Sequence, residues 1–458
     1  MALDSEPDLH PPADLVRRYD TAGPRYTSYP TVPHWTGSFG PADYEARLEE
    51  GAREGADASL SLYVHVPFCR KLCTFCGCNV VVSRSSKEAD VYLDKVALEL
   101  DLVAARLGGR RRVSQIHWGG GTPTFLSERQ LERLWNELTQ RFVVTADAEV
   151  SAELNPAVTS NSQLAQLRQL GFNRLSMGVQ DFDPKVQKTI NRIQTVEQTR
   201  NLLLEARRLG FGGVNFDLIY GLPHQNEATW AMTLDEVLAM RPDRFAIYAF
   251  AFLPQTIVHQ RKLPEAAMPS GPAKLSLLEH ATQALLRAGY RAIGMDHFAL
   301  PEDELSVAQT RRNLWRNFQG YTVRSALDVV AFGVSAISDI AGAYAQNDAT
   351  LAGYARAVEA GALATTRGVR LTEDDRRRRG LITQLMCNFW VDLGEGGEAL
   401  FARELEALRP MQADGLLTVK GRELTVTPLG KFFVRNIAMV FDAHLEETKK
   451  RVVFSKTV

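Results

Sequence analysis

Between Ser61 and Gly294 the chain alternates between two periodicities, and this alternation restricts its fold more than any other feature. Strand-like runs occur at Leu62–Pro67, Val113–Trp118, Ala148–Leu154, Arg174–Val179, Gly213–Ile219 and Phe245–Phe250, and amphipathic segments near 88–106, 127–140, 160–169, 184–209, 226–239 and 272–288. Strand followed by helix, repeated at this length, predicts an α/β fold with a parallel sheet covered by helices, because parallel neighbours need a long crossover. Six such units suit an incomplete barrel, with a doubly wound sheet as the alternative. Both place functional groups beyond the carboxyl ends of the strands, so the expected site survives either choice.

Four of the five cysteines, Cys69, Cys73, Cys76 and Cys78, fall within ten positions directly after the first strand-like run. Thiolates prefer soft metals, and sulfurs two or three residues apart can turn inward around one centre. Structural zinc usually takes two separated ligand pairs, and Cys387 stands alone downstream. One compact loop better suits a cubane with three protein-bound irons and a fourth open to chemistry; spacing alone lets Cys78 close that position or stay off the metal. A disulfide framework is the weaker reading for a chain long enough to build a core without staples.

Other polar residues fall at equivalent strand ends. Gly119, Gly120 and Gly121 close the second run, followed by Thr122; Glu153 ends the third, Gln180 the fourth, Asp217 lies in the fifth, and Arg192 follows the fourth. One polar strand end is ordinarily just solvated, and one glycine an ordinary turn. Their recurrence on successive units points to a ligand approached by backbone and side chains together. The glycines do not form a dinucleotide-binding G-x-G-x-x-G.

The 458 residues carry 53 Lys and Arg against 54 Asp and Glu, so no global field draws the chain to nucleic acid or anionic lipid. With no apolar run of membrane-spanning length and no basic-then-apolar N-terminus, a cytoplasmic, reducing location is expected. Residues 1–60 read as an arm, 61–365 as the catalytic domain and 366–458 as a helical C-terminal domain with a hairpin. In the arm, Tyr26, Tyr29 and Trp35 ordinarily serve as tethers to a core. Arg311, Arg312 and Arg316 ordinarily pair with surface acids, although guanidinium forks also match carboxylate substrates. In the last domain, a start at Thr372, a hairpin near 415–428 and a following helix suggest a winged helix. That raises a metal-sensing nucleic-acid binder as a rival, to which the four arginines at 376–379 lend little, since such runs are usually solvated.

The C-x3-C-x2-C run resembles the signature of radical S-adenosylmethionine (SAM) enzymes. The longer C-x3-C-x2-C-x-C, with R-Y-T-S-Y-P-T from Arg25 to Thr31 and G-G-G-T-P from Gly119 to Pro123, resembles the oxygen-independent coproporphyrinogen III oxidase (coproporphyrinogen dehydrogenase) family from the arm through the C-terminal domain. The resemblance implies a (β/α)6 barrel with a 4Fe-4S cluster on Cys69, Cys73 and Cys76, and Cys78 nearby. It implies two SAM molecules, with Arg192 facing the carboxylate and Asp217 the ribose, and Tyr63, Phe75, Gly120, Gly121, Thr122, Glu153, Gln180, Ala251, Gln319 and Ile337 as further cofactor contacts. Arg25, Tyr26 and His297 are implied near the chemistry, although His297 is also a plausible core histidine.

The implied reaction is anaerobic: a 5′-deoxyadenosyl radical takes hydrogen from a propionate β carbon, and two side chains of coproporphyrinogen III become vinyls in protoporphyrinogen IX. A low-potential donor such as flavodoxin or ferredoxin, an unidentified electron acceptor, a monomeric state, and no nucleic acid or membrane partner complete the expectation. One departure is Phe252, where the family often shows histidine. The rivals are a haem-binding chaperone of related fold, whose loop resembles C-x3-C-x2-C-x-F, and a radical SAM enzyme for another substrate.

Overall fold

The structure is a computed structural model that describes residues 11–324, 328–449 and 454. Residues 1–10, the start of the expected arm, lie outside the described residues. The chain forms two compact units, one of residues 36–278 and 327–370, the other of 1–35, 279–326 and 371–458. These units cut across the boundaries at 60 and 365, since residues group by packing rather than by chain order.

In the first unit, strands Leu60–Val66, Arg112–Gly120, Val143–Leu154, Arg174–Gln180, Gly213–Tyr220 and Arg244–Ala249 pair in parallel, each with the next in the chain. The expected runs are all present; the first, fourth and fifth are longer by one residue, the second and third by three and five, and the sixth is shifted by one. Leu60, Leu62, Val64 and Val66 are fully buried, while Tyr63 turns to the opposite face, as a period of two requires. The first strand's other edge pairs in parallel with Asp328–Phe332, and strands Ile337–Ile340, Ala343–Asn347 and Thr365–Arg370 add on antiparallel. Because the first strand pairs there and not with the sixth, the six-strand sheet does not close on itself, as in a partial barrel.

Helices Ser86–Leu107, Glu128–Thr139, Asn161–Gln169 and Glu227–Met240 match the amphipathic segments. Several start on a reciprocal cap: Ser127 with Gln130, Ser160 with Gln163, Thr195 with Gln198. Each cap satisfies two amides the first turn would leave orphaned, worth about 1 kcal/mol. The segment 184–209, read as one helix, is two, Pro184–Thr189 and Val196–Arg208. Asn191 breaks it with φ 54°, a conformation asparagine tolerates, and Thr195 caps the restart. The break is what brings Arg192 out of a helix and into a loop.

In the second unit, Leu15, Tyr19, Tyr26 and Tyr29 share one core with Leu385, Phe433 and Ile437. Arg435 Nε donates to the Pro24 carbonyl at 3.1 Å, and the Ala443 amide to the Tyr29 hydroxyl at 3.1 Å. The arm's tyrosines thus act as tethers. Helix Glu373–Asn388 leads to a three-stranded sheet of Trp390–Asp392, Glu423–Val426 and Leu417–Lys420, and a left-handed Phe389 ends the helix. Arg377 and Arg378 pair with Glu373 and Asp374, and Arg378 also with Glu404, so their charge is used locally. Cys387 is fully buried among apolar residues, which pushes its thiol up to about 12.

Candidate active site

The cysteine loop hangs from the end of the first strand and is held by backbone contacts on several sides. Cys69 lies in a short strand, Phe68–Cys69, paired with Val81–Val82, which folds the loop back on itself. The Thr74 amide donates to the Ile190 carbonyl at 3.0 Å, and Asn191 Nδ2 to the Leu72 carbonyl at 2.8 Å. His259 Nε2 donates to the Cys76 carbonyl at 2.7 Å, and Gln260 Nε2 to the carbonyls of Phe75 and Ala251 at 3.3 and 3.1 Å. His65, kept neutral by burial, donates through Nε2 to the Asn79 carbonyl at 2.9 Å. A loop with almost no regular structure is thereby fixed mainly through its backbone groups.

Among the described residues no three His, Cys, Asp or Glu side chains converge as around a single metal ion. A cubane offers each thiolate its own iron, so its ligands need not meet at a point. Thr122 Oγ1 lies 3.5 Å from the Cys69 sulfur, and Arg192 Nη1 is 4.0 Å from that of Cys73. Burial pushes the thiols of Cys69 and Cys73 up, and the Arg192 charge opposes it at both. A hydrogen bond from Cys78 brings the Cys76 thiol down.

The three glycines are each occupied to the limit. A Cβ on Gly119 would stand 2.8 Å from Glu153 Oε1, on Gly120 2.4 Å from the His65 ring, and on Gly121 2.6 Å from the Pro67 carbonyl carbon. Gly120 also holds φ 109°, open to glycine but strained for side chains. Its amide donates to Glu153 Oε2 at 3.0 Å. His117 bridges Glu153 Oε1 at 3.2 Å and Ser151 Oγ at 2.7 Å, with the Tyr63 ring stacked on it at 5.9 Å. Burial pushes the Glu153 carboxyl up, but the His117 and Gly120 donors outweigh it and hold it below its ordinary value.

Asp217 accepts from Ser176 Oγ at 2.8 Å and Asn215 Nδ2 at 2.9 Å; burial, helped by the Glu153 charge, pushes it up to about 7. Gln180 has φ 68°, and its Oε1 is buried without a hydrogen-bond partner. Arg192 Nη2 donates to the Gly178 carbonyl at 2.7 Å, while Nε is buried and unpartnered. Phe75 packs in an apolar cluster with Phe252 beside Phe250, so phenylalanine at 252 serves packing where a histidine would bring a polar group. Ile337 begins its strand and is partly buried.

A low carboxylate, a carboxyl near neutrality, a guanidinium and an amide with unpartnered buried atoms, and a glycine floor fit a zwitterion with a ribose. The soft thiolates fit an iron-sulfur cluster. Sequence reading missed His117 and His65. The signal was present, since His117 stands two residues before Gly119 and so shares its face of the strand.

The remaining predicted residues belong to the second unit. Arg25 pairs with buried Asp296, which also accepts from His297 Nδ1 at 2.9 Å. Tyr26 donates to Asp442 at 3.0 Å. Arg316 donates to the Arg25 carbonyl at 3.2 Å and lies 5.2 Å from the Tyr321 ring, and Arg312 stacks on Trp390 at 4.4 Å. Gln319 Oε1 is buried without a hydrogen-bond partner.

Residues 63–237 match the family model of the radical SAM superfamily. The chain is 42% identical over 457 residues to an oxygen-independent coproporphyrinogen III oxidase of Synechocystis, covering 97% of this chain and 98% of that protein. It is 45% identical over 452 residues to the protein of that name in Escherichia coli, with coverage of 97% and 98%. The solved structure of the Escherichia coli coproporphyrinogen III oxidase, described as a radical SAM enzyme, superposes with a TM-score of 0.89 at 42% identity over 96% of this chain and 100% of that one. The partial barrel, the cysteine loop and this full-length likeness agree, and the chain belongs to the oxygen-independent coproporphyrinogen III oxidase family of radical SAM enzymes.

Proposed function

We infer that the chain carries out the reaction of its family: anaerobic oxidative decarboxylation of two coproporphyrinogen III propionates to vinyl groups, giving protoporphyrinogen IX. The observation that carries this is relatives above 40% identity along the whole chain, joined to an intact C-x3-C-x2-C-x-C loop. A propionate β C–H bond is not acidic, so the reaction needs a hydrogen-atom abstractor. When bound, a 4Fe-4S cluster and SAM supply it as a 5′-deoxyadenosyl radical.

Cys69, Cys73 and Cys76 would ligate the cluster, and Cys78 would stay off the metal, close to the reacting groups. Arg192 would receive the SAM carboxylate, Glu153 its ammonium and Asp217 its ribose. Tyr63, Phe75, Gln180 and Ala251 would line the cofactor, and the glycine floor would exclude water beside it. A second SAM is proposed from the family resemblance, which assigns Gln319 and Ile337 to it; within its own unit the buried, unpartnered Gln319 Oε1 supports a polar ligand beside that residue. Arg25, Tyr26 and His297 are assigned to the substrate side on the same ground. A low-potential donor, a separate electron acceptor, a monomer and a cytoplasmic location complete the proposal. For the location, no described helix is long and apolar enough to cross a membrane.

Anaerobic reconstitution tests the ligand set. Alanine at Cys69, Cys73 or Cys76 should abolish the reduced-cluster signal, whereas C78A should keep a cluster whose spectrum responds to SAM. Stoichiometric zinc without iron in anaerobically purified protein, or loss of one thiolate-ligated iron in C78A, would contradict it.

A further inference from the structure

The cysteine loop and the two segments that hydrogen-bond to it share an unusual composition. Residues 68–84 form the loop, 184–196 supply Ile190 and Asn191 to it, and 251–264 supply His259 and Gln260. None of the three contains an aspartate or glutamate. The first exposes Arg70, Lys71 and Arg84, the second Lys185 and Lys188, and the third Arg261 and Lys262. The nearest acids in the chain, Asp183, Glu197 and Glu265, lie just outside these runs, and Asp183 spends its carboxylate capping the Lys185 and Val186 amides at 2.9 Å. No ion pair engages Lys71, Lys185, Lys188 or Lys262 among the described residues.

These cations belong to a chain whose net charge is only -1, so the excess in these segments is local. Each segment also exposes one large apolar side chain, Val82 at 51%, Ile193 at 58% and Val258 at 64%. Exposed apolar residues in segments rich in cations suit a transient protein interface, and redox encounters occupy the small end of that range. Electron transfer falls steeply with distance, so a carrier must dock over the loop that holds its acceptor.

We propose that the cysteine loop and the 184–196 and 251–264 segments form one face that docks a small acidic one-electron carrier protein. The proposal rests on the cluster assignment above. In the encounter one electron leaves the carrier, which is oxidised, and enters the cluster, which is reduced; no bond forms or breaks. The cations steer the approach and set orientation, and the three apolar side chains provide the dry contact.

The test uses the reconstituted holoprotein and reduced flavodoxin as the acidic probe. The variants are K71E/K188E, the milder K71Q/K188Q, and K420E, an exposed charge on the hairpin of the other unit, as control. Flavodoxin-driven cluster reduction, followed by stopped-flow absorbance, should slow about tenfold or more in the glutamate pair and less in the glutamine pair, and its salt dependence should flatten. Flavodoxin binding measured by calorimetry should weaken in parallel, while dithionite-driven reduction and the K420E rate stay at wild-type values. Unchanged flavodoxin rates and salt slopes in both pairs would overturn the docking face. A wild-type protein that dithionite cannot bring to a SAM-responsive cluster would instead overturn the cluster assignment beneath it.

Discussion

The guanidinium of Arg192 stands 4.0 Å from the sulfur of Cys73 and donates to the Gly178 carbonyl at 2.7 Å. One cation therefore joins the end of the fourth parallel strand to the cysteine loop, with its Nε left for another acceptor. A charge-assisted contact to a SAM carboxylate is worth about 1.5 to 3 kcal/mol, or roughly tenfold to a hundredfold in affinity. R192A should weaken SAM binding by that factor while retaining its iron. Equilibrium dialysis beside iron analysis checks both, and unchanged SAM affinity removes Arg192 from the site.

A second expectation concerns Gly120, where positive φ and the His65 ring leave no room for a side chain. G120A should cost about 2 kcal/mol or more of stability, from backbone strain and overpacking together. Denaturant unfolding measures the loss. Stability within experimental error of wild type would mean that the glycine floor is not as tight as its contacts indicate.

The fold was largely written in periodicity, because buried parallel strands and capped helices repeat with little ambiguity. What escaped were features set by tertiary contact. The break at Asn191 hides inside a continuous amphipathic pattern, and the four strands from Asp328 to Arg370 are short and lack the strand-helix alternation. In the candidate site, the glycines and strand-end polar groups could be picked out, since their recurrence is visible in one dimension. The pairing of His117 with Glu153 could not, because it joins neighbouring strands whose register only folding sets. Likewise the Arg25–Asp296 pair and the stacking of Arg312 on Trp390 gave no local signal.

Asp217 gives a pH signature. Its folded pKa of about 7 lies above the ordinary 3.8, so between these values the folded state holds a proton that the unfolded chain has released. Its contribution is fully present below about pH 4 and is lost as pH rises through 7. Asp181 and Glu99 are raised to about 7 by burial too, so the comparison is between wild type and D217N rather than against a flat baseline. In SAM-free protein, D217N should become more stable relative to wild type as pH rises from 4 to 8. A stability difference that stays constant across this window would place the Asp217 carboxyl at its ordinary pKa.

The most direct measurement of the central claim follows one hydrogen atom. Holoprotein is incubated under strict anaerobiosis with a low-potential reductant, SAM, an electron-accepting cell extract and coproporphyrinogen III deuterated at the propionate β carbons. The account predicts deuterium in 5′-deoxyadenosine, release of carbon dioxide and formation of protoporphyrinogen IX. Formation of 5′-deoxyadenosine without deuterium and without vinyl product, from protein with an intact SAM-responsive cluster, would contradict it.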